Sequence, residues 1–273
     1  VTMVSVIMSV FNTNDETLLQ HSIQSIISQT FSNFEFIICD DGSTDGTYEI
    51  LETISKGDSR IKLIKNETNL RAATARNRCI SLSKGKYIAV MDADDYSAVN
   101  RLQIQVDFLE NNKEIDFVGS GADLYNENGI WGHRKYNSTP ENKDFLFVLP
   151  FIHASVMFRK KALKAVGGYR VAKETIRTED YDLFMRLYAN GYKGVNLEDT
   201  LYFINEDQSL YKRRKYYHKF NEAVVRYKGF RALGLMPGGF LYVIKPLIVG
   251  LIPLSILNLL KDKYYRHKKL VDK

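Results

Sequence analysis

KGKYIAVMDADDYSAVN, residues 84–100, carries an apolar run from Tyr87 to Met91 straight into three carboxylates, Asp92, Asp94 and Asp95. Like charges packed into four residues repel one another, and folding alone gains nothing from them. A cation is the partner such a cluster calls for. Read alone, the same residues also fit a solvated Asp-rich turn.

Working outward, the first half of the chain repeats the pattern of an apolar run followed by a helical one. VSVIMSV (4–10), FEFIIC (34–39), IKLIK (61–65) and YIAVM (87–91) read as strands. Helices are expected from about Glu16, with Asp15 as N-cap, and over 45–56 and 72–83. Near-continuous apolar strands separated by helices predict a parallel sheet covered on both faces. Ligands of such sheets sit at the carboxyl ends of the strands, where Asp40-Asp41 and Asp92 both fall. Residues 115–205 mix shorter strands (FVGSGADLY, ASVMFR, TLYFIN) with helices near 160–166 and 179–190.

Composition narrows the class. Of 273 residues, 45% are apolar and 26% charged, a globular balance for one large domain with an appendage. The net charge of +6 hides an asymmetry: residues 212–273 carry 15 Lys/Arg against 3 acids, so the remainder is acidic. Cys39 and Cys79 form neither a disulfide framework nor a zinc signature, which points to a reduced, cytosolic setting. The first ten residues read as a strand and not as a targeting segment.

Chemistry concentrates in a few stretches. Mg²⁺ and Mn²⁺ take oxygen ligands and share carboxylates with substrate phosphates, which suits Asp92-x-Asp94 at a strand end. CDDGSTDGT (39–47) is an acidic, glycine-containing turn in which Asp41 can accept from a base N–H; a plain strand-to-helix turn fits it equally. NLRAATARN (69–77) supplies Arg71 and Arg76 for phosphate or base contacts, or as ordinary surface charges.

Together these stretches resemble glycosyltransferase family 2, inverting nucleotide-sugar-dependent enzymes of the GT-A fold. VSVIMSVFN, SIISQTFSNFEFIICDDGSTDGT, NLRAATARN, GKYIAVMDADD, HASVMFRK and TEDYDLFMRL carry the resemblance in family order from residue 4 to about 205. It implies an α/β, Rossmann-like mixed sheet over 1–211, and the change of composition near Lys212 sets off a helical extension over 212–273. It also implies that Phe11 and Asn12 bracket the base, Asp41 reads it, and Arg71 and Arg76 lie beside the nucleotide. Asp92 would face the ribose, with Asp95 beside it, and Asp94, assisted by Asp92, would hold Mn²⁺ or Mg²⁺. Asp180 matches the general base, with Glu179 next to it near the acceptor, and His153 matches a site-facing histidine or a satisfied core one. Many relatives close the site with a histidine where this chain has Asn205, which leaves that segment open between metal and acceptor.

The tail adds a second role. Residues 212–232 read as an amphipathic helix with Tyr216, Phe220, Val224, Tyr227 and Phe230/Arg231 along one stripe, and 240–260 holds one charge, Lys245. Pro246, Gly250 and Pro253 fit a plain spanning helix poorly, and the Tyr- and Lys/Arg-rich flanks suit a headgroup region. The expectation is a segment lying on the inner face of the plasma membrane, with a span or a homodimerising arm as alternatives. Its apolar centre argues against nucleic acid.

The expected function is inverting transfer from a nucleotide-sugar donor, a UDP-sugar by resemblance, to a lipid-linked or oligosaccharide acceptor in surface polysaccharide synthesis. One alternative, a nucleotidyltransferase, wants a Gly-rich phosphate loop that SVFNTNDET lacks. The other is a non-catalytic nucleotide-sugar-binding scaffold at a membrane, against which Asp94 and Asp180 together speak.

Overall fold

The computed structural model describes residues 2–205 and 216–252. Its first half is the expected alternation: β1 (Val4–Val10), α1 (Glu16–Ile27), β2 (Phe34–Asp40), α2 (Thr47–Ser55), β3 (Ile61–Lys65), α3 (Ala72–Leu82) and β4 (Tyr87–Asp92). Asp15 caps α1 by accepting the Leu18 N–H at 3.0 Å. Then follow β5 (Tyr96–Ser97), α4 (Arg101–Asn111), β6 (Phe117–Asn126), β7 (Gly129–Arg134), β8 (Met157–Arg159), α5 (Lys160–Ala165), α6 (Glu179–Ala189), β9 (Gly194–Asn205), α7 (Tyr217–Ala232) and α8 (Phe240–Val249).

The strands form one sheet in the order β3-β2-β1-β4-β8-β6-β9-β5, with β7 on β6. The parallel expectation holds for β3-β2-β1-β4 and stops there. Beyond β4 the sheet is mixed, because β8 runs antiparallel to both β4 and β6. The long connection from β7 to β8 carries no crossover helix of the kind a parallel neighbour needs.

Alternation along the parallel strands builds two cores. Val4, Val6 and Met8 face one side with Leu19, Ile23, Leu102 and Val106 of α1 and α4. Ile7, Ile37 and Val90 face the other with residues of α3, α6, α7 and α8. Register then aligns the strand ends: Val10 pairs with Asp40, and Ser9 with Asp92. Asp40 and Asp92 therefore leave the sheet at the same end, and Asp41 follows Asp40.

The tail departs from the expected stripe. On α7 the buried residues are His218, Asn221, Ala223, Val225, Arg226 and Phe230, whereas Tyr216, Phe220 and Tyr227 are exposed. Two polar side chains set that rotation. Asn221 donates to the Lys173 carbonyl at 3.1 Å, and Arg226 donates to the Leu146 carbonyl at 3.1 Å while lying over the Tyr181 ring. Phe230, Leu233 and Val243 share a cluster with Ile7 and Phe117, so α7 and α8 pack into the body. Of the 240–260 run, α8 covers Phe240–Val249 and has Pro246 inside it; residues 253–260 lie outside the described residues. Among the described residues no helix is long and apolar enough to cross a membrane.

Candidate active site

A cleft of about 1150 Å³ opens where β1, β2 and β4 end. Phe11, Asn12, Asp41, Arg71, Arg76, Asp92, Asp94 and Glu179 line it, and so does Asn205. Sequence positions as far apart as 11 and 205 thus share one cavity.

Asp41 sits 3% exposed after β2, with its Oδ1 accepting the Asn66 side-chain amide at 2.7 Å and the Leu70 N–H at 3.0 Å. Both bonds end on one oxygen, so Oδ2 keeps its lone pairs for a ligand donor. Gly42 makes the turn feasible: at φ 74° an added Cβ would stand 2.5 Å from the Thr68 carbonyl carbon. Asn12 braces this turn, accepting the Thr44 N–H at 3.0 Å and donating its own N–H to Ser43 Oγ at 2.9 Å. Phe11 stands beside it, 43% exposed, an apolar face offered to the cleft.

Arg76 is the hub. Its guanidinium reaches Asp92 at 3.0 Å and Glu179 at 3.1 Å, bridging the end of β4 to the start of α6. Burial works against its charge, but Asp92, Tyr169, Glu179 and Asp180 together outweigh that and hold its proton more tightly than usual. Glu179 is therefore committed as a counter-ion. Asp180, half-buried in the same first turn, accepts the Tyr181 N–H at 2.7 Å. Burial and the neighbouring Glu179 push its carboxyl up to about 6. A carboxylate held near neutral pH is suited to taking a proton and giving it back.

The acid cluster divides. Asp94 lines the cleft, and burial with the Asp92 charge pushes its carboxyl up to about 6. Asp95 turns inward at 6% exposure and accepts the Asn205 N–H at 2.9 Å, fixing the end of β9. Burial, then Asp94 and Asp92, push its carboxyl well above the usual carboxylate range. Among the described residues no group of three His, Cys, Asp or Glu is placed to hold a metal. The donors that do reach the cleft, Asp92 and Asp94, are hard oxygens in the number a substrate-shared Mg²⁺ or Mn²⁺ uses.

His153 lies behind this surface. It is buried, with Nε2 2.7 Å from the Tyr169 hydroxyl, and burial, with Arg76 nearby, pushes its imidazole down to about 3. Its ring meets the Tyr169 hydroxyl, and Arg76 lies over the Tyr169 ring at 5.7 Å.

Several residues of the site went unread in the sequence. Tyr169 is held by Asn77, whose amide donates to its carbonyl at 2.7 Å and accepts its N–H at 2.9 Å. Gly168, at φ 67°, leaves room for that amide, so the Gly167-Gly168 pair was the available signal. Tyr202 accepts the Asp92 N–H at 3.1 Å, and Arg101 is buried beneath it at 5.1 Å from its ring. Arg101 donates to the carbonyls of Val90 and Ala154 at 2.8 and 3.0 Å. No pattern marked it. Opposite the strand ends, Val171, Lys173, Ile176 and Arg177 form the remaining wall.

Comparison with known proteins agrees with this arrangement. The family model described as "Glycosyl transferase family 2" matches residues 5–167, and "Glycosyl transferase family group 2" matches 87–260. The chain is 40% identical to the putative glycosyltransferase EpsE of Bacillus subtilis strain 168, covering 97% of this chain and 95% of that protein. It is 32% identical to the Escherichia coli UDP-Glc:alpha-D-GlcNAc-diphosphoundecaprenol beta-1,3-glucosyltransferase WfaP, over 74% of this chain and 78% of that one. In fold it is similar to residues 1–349 of Staphylococcus aureus TarS in complex with UDP, with TM-score 0.68 at 20% identity, covering 93% of this chain and 76% of that one. The mixed sheet with its cleft at the strand ends is the GT-A arrangement. The protein is a glycosyltransferase and belongs to glycosyl transferase family 2.

Proposed function

We propose that the protein moves a sugar, with inversion, from a nucleoside diphosphate donor to a hydroxyl of a lipid-linked saccharide in surface polysaccharide synthesis. One observation carries this reading: Asp41, Asp92 and Asp94 at the strand ends face the same cleft as Glu179, and Asp180 sits beside Glu179. Asp41 receives the base N–H on its free oxygen, with Phe11 against the ring and Asn12 holding the turn. A UDP-sugar fits best, since the similar TarS is bound to UDP and WfaP is named for UDP-Glc.

Asp92 and Asp94 would hold Mg²⁺ or Mn²⁺, which when bound offsets the charge of the departing diphosphate. Asp92 reaches the ribose while Arg76, 3.0 Å away, orients it. Asp180 accepts the proton of the acceptor hydroxyl as that oxygen attacks the anomeric carbon and the nucleoside diphosphate leaves on the other face. Glu179, tied to Arg76, keeps the first turn of α6 in place. The N-terminal end of that helix favours carboxylates there.

The acceptor reading rests on the WfaP name and on the tail. Exposed Phe220, Tyr227, Phe240, Leu241 and Ile248 share α7 and α8 with Lys228, Arg231 and Lys245, a mixture suited to an anionic membrane surface at the inner face. A panel of nucleotide sugars, scored for hydrolysis with and without Mn²⁺ or Mg²⁺, tests the donor side. No release of nucleotide from any donor would leave the scaffold reading in its place.

A further inference from the structure

Among the described residues three non-glycine positions have left-handed backbone: Asn12 (φ 48°), Arg71 (φ 76°) and Arg177 (φ 67°). All three line the cleft. Such backbone is strained for a residue with a side chain and persists where function or packing imposes it. Asn12 braces the base turn, and Arg71 opens α3 with its N–H on Asn69 Oδ1. Arg177 has no such account. It is exposed and makes no hydrogen bond or ion pair with another described residue, and a glycine would take its φ without strain.

Its position is particular. Arg177 also lines a small pocket with Thr178, His218, Lys219 and Glu222, where α7 meets the segment before α6. It stands between the reaction cleft and the helix that carries the exposed aromatic face. Lys173, also exposed, lines the cleft four residues earlier. The segment carrying both is braced: Asn221 holds the Lys173 carbonyl at 3.1 Å, and Lys228 pairs with Glu174 at 2.6 Å. Thr175 Oγ1 closes the turn by accepting the Ala172 N–H at 3.2 Å. Glu222, the one carboxylate in the small pocket, is already shared by Lys219 at 3.4 Å and Arg226 at 3.2 Å. The local balance therefore favours an anion.

We propose that Lys173 and Arg177 bind the diphosphate of a lipid-diphosphate-linked sugar acceptor. The acceptor sugar then extends toward Glu179 and Asp180, and the lipid leaves over α7 and α8. Arginine meets phosphate with a planar fork, and lysine adds a point charge. This rests on the transferase reading and adds the group that the acceptor must carry.

The test uses the full chain and two acceptors in neutral detergent: a GlcNAc diphosphate ester of a short polyprenol, and the matching polyprenyl glycoside without the diphosphate. Lys173→Ala/Arg177→Gly should raise KM for the diphosphate ester about tenfold or more, with little change in kcat. KM for the glycoside should stay at the wild-type value, and Arg177→Lys should keep most of the affinity for the ester. UDP affinity by calorimetry and binding to phosphatidylglycerol vesicles should match wild type. A fall in UDP affinity would place the two cations on the donor diphosphate and overturn the proposal. A fall in vesicle binding alone would assign them to lipid headgroups, with the same consequence. Equal effects on both acceptors, or none, overturn it as well. A wild-type enzyme that hydrolyses donor yet ignores the diphosphate sinks this inference only; one that hydrolyses no donor sinks the transferase reading beneath it.

Discussion

At the residue scale the site turns on one arginine between two carboxylates. Because Arg76 engages Glu179 at 3.1 Å, the base we propose is Asp180. Asp180→Asn should lower turnover about 10²–10⁴-fold while UDP affinity stays near wild type. If Glu179→Gln gives the larger loss, the base is one position earlier. The pH profile gives an independent reading. Burial and Glu179 push Asp180 up to about 6, and the base form exists above that value. Turnover should therefore rise between about pH 5 and 7 and level off above, and the limb should shrink in Asp180→Asn. A flat profile across that range contradicts the assignment. Asp94 faces the cleft with a carboxyl also pushed up to about 6, so its proton is easily displaced by a cation. Chelation should abolish donor turnover and Mn²⁺ or Mg²⁺ restore it, whereas Asp94→Asn should stay inactive at any metal concentration with its circular dichroism spectrum intact. Full activity in excess chelator removes the metal from the site.

At the scale of elements, α7 is the instructive case. Its aromatic stripe, Tyr216, Phe220 and Tyr227, has the spacing of a buried face and is exposed, because Asn221 and Arg226 are needed inside to satisfy two loop carbonyls. A polar side chain with a carbonyl to cap can outweigh an aromatic in choosing the buried face. Phe230 is fully buried, so Phe230→Ala should cost about 3–5 kcal/mol in urea unfolding. Phe220, 60% exposed, should tolerate Ser within about 0.5 kcal/mol. The reverse ranking would mean that α7 is rotated.

At the scale of the molecule, α7 and α8 are packed against the catalytic body as far as Leu247. Truncation after Tyr211 would strip Val225, Phe230 and Val243 from the core and should give an unstable protein. Truncation after Ile252 leaves the core contacts of the described residues in place and removes the basic end, so it tests membrane attachment with that core intact. That shorter chain should hydrolyse donor like the full one and sediment less with phosphatidylglycerol vesicles, at about 1 kcal/mol for each Lys or Arg that reached the surface. High salt should release the full chain only partly, since Phe240, Leu241 and Ile248 add burial that salt does not screen. If the full chain stays in the supernatant as a dimer, the exposed face is a subunit interface.

The sequence by itself determined the four parallel strands, the helices between them and the edge where their acids emerge. Those signals are local: apolar period, caps such as Asp15, and turn glycines such as Gly42 act over a few residues, and the carboxyl end of a parallel strand follows from chain direction. It also singled out Asp41, Asp92 and Asp94, because acids at strand ends stand out against an apolar background, whereas Asp180 came only from the family resemblance. Helix α4 was not read, although Leu102, Val106 and Leu109 are buried along it, and with it Arg101 was missed. What only the tertiary structure decided is which charges meet. Arg76 meets Asp92 and, 103 residues along the chain, Glu179, His153 lies against Tyr169, and Asp95 turns to cap Asn205. Whether a charge faces solvent, a ligand or a buried partner depends on desolvation and on what the rest of the fold brings within about 4 Å, and neither quantity is carried by neighbours in sequence.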